Sequence, residues 1–319
     1  MNARYLFFGG KGGVGKTTAA SATALFLLQN AKRNDSILLF STDPAHSLSD
    51  SLEVKIGNRL VAVKAFRGAR LFAYEMDATL ALERFRSAHG EVLAEIAERG
   101  TLLDEEDIKQ LLNLSLPGLD EVMSLFELSE IDREGKYSRI VVDTAPSGHT
   151  SRLLRLPEVF ERIVRTLDLL GEKHRYMIEQ FARRKAPVDK VELFLRDLVE
   201  RIASVRKLLY GDDHQNAETS FTLVTIPEAM SVRETQRYLS LLKEQGVPVR
   251  DLIINRVEQE HDDCEYCHAR VLSQKRWLKE IARLFRELEI HRVPLMAREV
   301  RGLDALKEVG NVIWETSSH

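Results

Sequence analysis

Cysteine is scarce: Cys264 and Cys267 are the only two, and they sit in one C-x-x-C. No disulfide framework can be built from them, and a reducing cytosol is the usual setting of so thiol-poor a chain. Long apolar runs are missing as well. The longest uncharged stretch, Thr17 to Ala31, falls short of the roughly 20 apolar residues that a membrane-spanning helix needs. The apolar run Tyr5-Leu6-Phe7-Phe8 stops at Gly9, Gly10 and Lys11, too early for the core of an export signal. The expected location is therefore cytoplasmic. Charge of one sign is not in surplus: 46 Lys and Arg against 49 Asp and Glu leave −3, so bulk charge advertises no nucleic-acid partner. With only 8 Pro and 17 Gly in 319 residues the chain is neither fibrous nor disordered in composition, and its 44% hydrophobic content can supply a core.

Short apolar runs recur with helix-prone stretches between them: Tyr5 to Phe8, Ile37 to Phe40, Ile140 to Val142, Phe221 to Ile226 and Leu252 to Ile254. Each is bounded by Gly, Pro, Asp or a polar turn, as strands buried on both faces are. Leu71 to Met76 is a weaker strand and His291 to Leu295 a short terminal one. The alternation predicts an α/β fold with a mostly parallel sheet and crossover helices. Residues 78–134 and 157–210 break it with Leu, Glu, Ala and Arg, which predicts an inserted helical subdomain in one large domain spanning 1–319. Within the second stretch, Val191, Phe194, Leu195, Leu198, Ile202, Val205 and Leu209 recur three or four apart as one apolar stripe, and Pro187 divides the segment into two helices.

Gly10-Lys11-Gly12-Gly13-Val14-Gly15-Lys16-Thr17 satisfies G-x-x-x-x-G-K-[ST], following a strand and opening a helix. In that context backbone N–H groups cradle phosphates, Lys16 reaches the β/γ-phosphates of ATP or ADP and Thr17 holds Mg²⁺. Thr18 joins the nucleotide-binding set as the next residue of the helix. The apolar strand Ile140-Val141-Val142 ends in Asp143, where a second acidic group meets Mg²⁺ through water, or where an ordinary aspartate caps a turn. Ser41-Thr42-Asp43 follows another strand, which sets Asp43 at the same carboxyl edge and lets it position an attacking water.

With Lys11 inside G-K-G-G-V-G-K-T, Asp43-Pro44-Ala45-His46-Ser47 and Asp143-Thr144-Ala145-Pro146-Ser147-Gly148-His149-Thr150, the chain resembles the deviant-Walker P-loop ATPases. Within that class it is similar to the group containing the arsenical pump-driving ATPase and the guided-entry ATPase that targets tail-anchored membrane proteins. Ser115 to Glu121, Ile254-Asn255-Arg256, Cys264-Glu265-Tyr266-Cys267 and Val300-Arg301-Gly302 fit the same group, so the resemblance spans nearly the whole chain. It implies a nucleotide-gated homodimer in which Lys11 reaches the partner's phosphates, as a second cation does for charge on the bridging oxygens. It also implies that Asp43 activates water, that Asp143 to His149 form a second switch, and that Asn255 contacts adenine. Read from residue type alone, a loop-capping asparagine is the alternative for Asn255, since Asn favours turns.

Two thiolates leave a structural zinc two ligands short. A twofold axis could complete Cys₄ from two copies of Cys264 and Cys267, which is what the targeting branch implies, with one Zn²⁺ per dimer. His261 and His268 offer an intrachain set, and free thiols or a redox pair remain open. By the same resemblance the helical insertion holds a hydrophobic transmembrane segment, and a membrane receptor or pump is a partner, with the protein peripheral to the membrane during delivery. The rival is an ATPase subunit energising arsenite or antimonite efflux, whose soft metalloid would take thiolates. That kind of subunit carries two fused halves and further cysteines, whereas one P-loop and one thiol pair are present here.

Overall fold

A computed structural model describes residues 3–43, 47–100, 119–144, 190–210, 218–260 and 264–315. Pro44 to His46, Ala145 to Thr150, Pro187 and His261 lie outside them, as does most of Ser115 to Glu121. The chain divides into two compact units, one of residues 1–77, 132–154 and 208–319, the other of 78–131 and 155–207.

The first unit is built on one eight-stranded sheet, ordered β3-β4-β2-β5-β1-β6-β7-β8. The strands are β1 (Tyr5–Gly10), β2 (Ser36–Ser41), β3 (Val61–Phe66), β4 (Ala69–Glu75), β5 (Arg139–Asp143), β6 (Thr219–Thr225), β7 (Val249–Val257) and β8 (Glu289–Pro294). All neighbours are parallel except β3 and β4, which form an antiparallel hairpin with a register shift between Ala62 and Lys64. The apolar runs foresaw every strand but β3. β3 reads Val-Ala-Val-Lys-Ala-Phe, a short apolar run broken by Lys64, with Ala62, Lys64 and Ala65 exposed, and Arg67 and Gly68 at positive φ turn it back onto β4.

Helix α1 (Lys16–Gln29) and a C-terminal helix (Gly302–Trp314) cover one face of the sheet, packing Ala19, Ala20, Leu25, Leu306, Val309 and Ile313 on Leu6, Leu39, Val141, Val224 and Ile253. The alanines of α1 let the helix lie close, which a Leu-rich helix could not do. On the other face Phe7 stacks on Phe221 with centroids 4.8 Å apart. The helix Ala229–Glu244 packs there on β1, β6 and β7, burying Val232, Tyr238, Leu239 and Leu242. A buried Phe or Leu contributes about 1.5–3 kcal/mol, so both faces anchor the strand ends that carry polar chemistry. Numbered along the chain, the described helices are α1, α2 (Ser47–Leu52), α3 (Ala78–Gly100), α4 (Leu119–Ile131), α5 (Lys190–Tyr210), α6 (Ala229–Glu244), α7 (Glu265–Leu284) and α8 (Gly302–Trp314).

The second unit contains α3, α4 and most of α5. Val191, Phe194, Leu198, Ile202 and Val205 of the predicted stripe are all buried, and Phe194 sits against Phe85 and His89 of α3. The stripe is packing surface within the protomer. Leu80, Leu193 and Val199 are the large hydrophobics of this unit exposed among the described residues.

Candidate functional site

The carboxyl ends of β1, β2, β5 and β7 converge on one edge of the sheet, and the residues singled out by the motifs stand there. The loop Gly10 to Gly15 turns through φ of 153°, 79° and 96° at Gly10, Gly13 and Gly15. Gly10 and Gly15 admit no side chain: a Cβ on Gly10 would strike the Val224 carbonyl oxygen, and one on Gly15 the Asn255 amide nitrogen. Gly12 and Gly13 are exposed, Lys11 half-buried, and Val14 buried as the anchor of the loop. Gly15 caps α1 without a side-chain hydrogen bond, and the first turn holds no acidic residue. Unclaimed amides and the positive end of the helix dipole therefore face the loop, an arrangement suited to phosphate.

Lys16 is 5% exposed and its Nζ donates to the Lys11 carbonyl at 3.3 Å. Burial lowers its pKa, and the charges of Asp143 and Asp43 partly restore it. Thr17 Oγ1 donates to Asp143 Oδ2 at 2.7 Å and lies 3.0 Å from Ser47 Oγ, while Ser41 Oγ reaches the same carboxylate oxygen at 3.4 Å. Asp143 is wholly buried and burial raises its pKa from 3.8 to about 7, against the opposing pull of the Thr17 hydrogen bond and Lys16. Its Oδ1 is buried without a hydrogen-bond partner. Hydroxyl and carboxylate oxygens around an orphaned acceptor form the hard donor set that a hydrated Mg²⁺ takes. Thr18 is half-buried on the first turn, and Asp43 is half-buried with its N–H donating to Ser41 Oγ at 3.2 Å.

Asn255 is occupied by the protein itself. Its Nδ2 donates to the Val14 carbonyl at 2.9 Å and its Oδ1 accepts from Arg256 N–H at 2.9 Å. That bond holds Arg256 at φ 57°, a left-handed conformation costly for a residue with a Cβ. Gln274 of α7 secures the same turn, donating to the Arg256 carbonyl at 3.1 Å and accepting from Glu258 N–H at 2.9 Å. Motif reading missed Gln274, which carries no local signal. It also missed Glu75, which is 2% exposed and accepts from Leu48 N–H, Ser49 N–H and Ser49 Oγ–H at 2.8, 3.2 and 2.6 Å, fixing α2 and hence Ser47. A signal for Glu75 existed: like Asp143, it is an acid closing an apolar strand.

The thiol pair is built at the start of α7. Cys264 is the N-cap and its Sγ accepts from Cys267 N–H at 3.2 Å, so both sulfurs sit on one turn, half-buried. Hydrogen bonding from the Cys267 thiol, then from its amide, lowers the Cys264 pKa, and Cys267 is raised in return. Among the described residues, no His, Asp or Glu, including His268, joins the pair in a cluster of three metal donors. Two thiols supply two of the four ligands that a tetrahedral structural zinc takes.

Comparison with known proteins gives the family. The family model described as anion-transporting ATPase matches residues 3–315. An ATPase GET3 from Rhodotorula glutinis is 34% identical over 96% of this chain and 86% of its own length. For ATPase ASNA1 homolog 1 of Paramecium tetraurelia the figures are 32%, 99% and 93%, and for ATPase GET3 of Chaetomium globosum 31%, 97% and 90%. With its phosphate loop, buried cation and strand-end carboxylates on one edge, the chain belongs to the anion-transporting ATPase family and hydrolyses ATP.

Proposed function

We propose that this ATPase is a Mg²⁺-dependent, zinc-clasped homodimer that shields the hydrophobic segments of tail-anchored membrane proteins and delivers them to a membrane receptor. The observation that carries the reading is near-full-length similarity to ATPases named GET3 and ASNA1, the guided-entry side of the resemblance. Lys16 neutralises charge on the β/γ-phosphates, the amides of Gly13 to Thr17 orient them, and Asp43 takes up or aligns the attacking water. Thr17 directly, and Asp143 through water, would hold Mg²⁺, which shields the phosphate charge when bound. Lys11 adds a second cation from the partner copy, and Asn255 lies where adenine is contacted, so its hold on Val14 ties nucleotide binding to the loop. Cys264 and Cys267 of two copies would together hold one Zn²⁺ as a four-thiolate clasp. Through Gln274, α7 links that clasp to the Asn255 turn. The helical segments 78–134 and 157–210 form the client-binding subdomain.

The family description, anion-transporting ATPase, keeps the metalloid-pump reading in play. An Asp43→Asn chain, stalled before hydrolysis, separates the two: mass spectrometry of copurifying protein should find tail-anchored proteins. Their absence, together with arsenite-stimulated hydrolysis by the unmodified chain that Cys264→Ser abolishes, would hand the function to the pump.

A further inference from the structure

We propose a further metal site at the amino-terminal edge of the sheet, opposite the phosphate end: a first-row divalent transition-metal ion held by Asp251, Glu289 and His291. Asp251 of β7 pairs in register with Glu289 of β8, and His291 follows two residues on, so all three face the layer of α1 and α8. One donor atom from each lies within 4.8 Å of the others. His291 is 4% exposed with Nε2 2.9 Å from Asp251 Oδ1, and its ring is held against Trp314 at a centroid distance of 4.7 Å. Trp314 is fixed in turn, its Nε1–H donating to Thr23 Oγ1 at 3.0 Å. The imidazole is thus oriented before any ion arrives.

A buried His–Asp pair would account for those two residues alone. It leaves unexplained a cavity of about 720 Å³ that Asp251, Glu289 and His291 border together with Ser220, Phe26 and Trp314. Ser220 is 2% exposed, shares the sheet face of Asp251, and its Oγ has no hydrogen-bond partner. A hydroxyl in that position is costly unless something polar occupies the space, and water on a bound ion meets the need. The final turns of α1 and α8 end at the same cavity, and the negative ends of two helix dipoles favour a cation. Lys32, Arg139 and Arg250 also border it, but Lys32 and Arg250 are exposed and Arg139 partly so, which lets water screen all three. One imidazole with two carboxylates suits zinc, cobalt or manganese better than calcium. The 14 residues of α1 set the site about 21 Å from the phosphate loop, and its donors are not those of the thiol pair.

The test is equilibrium dialysis of the full chain carrying Cys264→Ser and Cys267→Ser against Co²⁺ and Zn²⁺. One ion per chain is expected, with cobalt ligand-field bands and no sulfur charge-transfer band. Adding Glu289→Gln or Asp251→Asn should weaken binding by at least about tenfold. Glu289 is exposed, so its amide variant leaves the core intact, which a thermal melt verifies. A thiol-free chain that binds neither metal, or binding that both added variants retain, overturns the proposal.

Discussion

Lys16 and Asp143 are buried in one network in which desolvation opposes charge. Desolvation lowers the lysine and raises the aspartate, and each partly corrects the other. Their roles separate experimentally. Lys16→Ala should weaken ATP binding by about two orders of magnitude, while Asp43→Asn keeps affinity and loses about 10²–10⁴ in turnover; nucleotide titration beside steady-state hydrolysis reads both. Asp143 adds a pH dependence. Its folded pKa of about 7 exceeds the ordinary 3.8, so between those values the folded state binds the proton that the unfolded state has lost. Stability of the metal-free protein therefore declines as pH rises from about 4 to about 7. Chemical denaturation across that range should show a slope that Asp143→Asn removes; equal slopes would place the proton elsewhere. Lys16, Thr17 and Asp143 were legible because motif and strand end announce them. Asn255's bond to Val14 was not, since 241 residues separate the two and only the β1-β6-β7 order brings them together. Asp251 and His291, 40 residues apart, stayed hidden for the same reason.

Among elements, the α1–α8 seam is the tightest contact with the nucleotide loop's own helix. Gly310 of α8 lies so close to α1 that a Cβ would come within 2.5 Å of the Ala22 carbonyl oxygen and 3.2 Å of Phe26 Cβ. Gly310→Ala should gain up to about 1 kcal/mol in helix propensity. The clash, about 1–3 kcal/mol, wins, so a net loss of stability is expected on denaturation, and a more stable variant would contradict the packing. In the helical unit Phe194→Ala should cost about 3–5 kcal/mol, because the side chain is buried against Phe85 and His89. Limited proteolysis of α3 and α5 would report it. Period alone could not tell this stripe from a client-facing one: the spacing Val191, Phe194, Leu198 marks an apolar face without naming its occupant. The edge strand β3 was hidden differently: its apolar run is short, broken by Lys64 and flanked by Arg59, Arg67 and Arg70.

For the whole molecule, the thiol pair makes the sharpest prediction. Half-buried on the first turn of α7 and lacking a third donor among the described residues, Cys264 and Cys267 should bind one zinc per two chains. Cys264→Ser should release the metal and shift the dimer towards monomer. Metal analysis with light scattering decides this, since one zinc per monomer would end the shared-site reading.

The two margins of the sheet bear on how copies can meet. An unpaired margin is a template on which another chain's strand can add, and proteins blunt it with charge, proline or a kink. Here β3 is kinked between Ala62 and Lys64 and carries that lysine outward, while β8 presents Glu289 and Arg292 to solvent and ends in Pro294. Neither margin invites continuation. The homodimer proposed above would therefore join through loops and helices rather than by extending one sheet across both, which would leave its interface free to open and close without breaking a ladder of backbone hydrogen bonds.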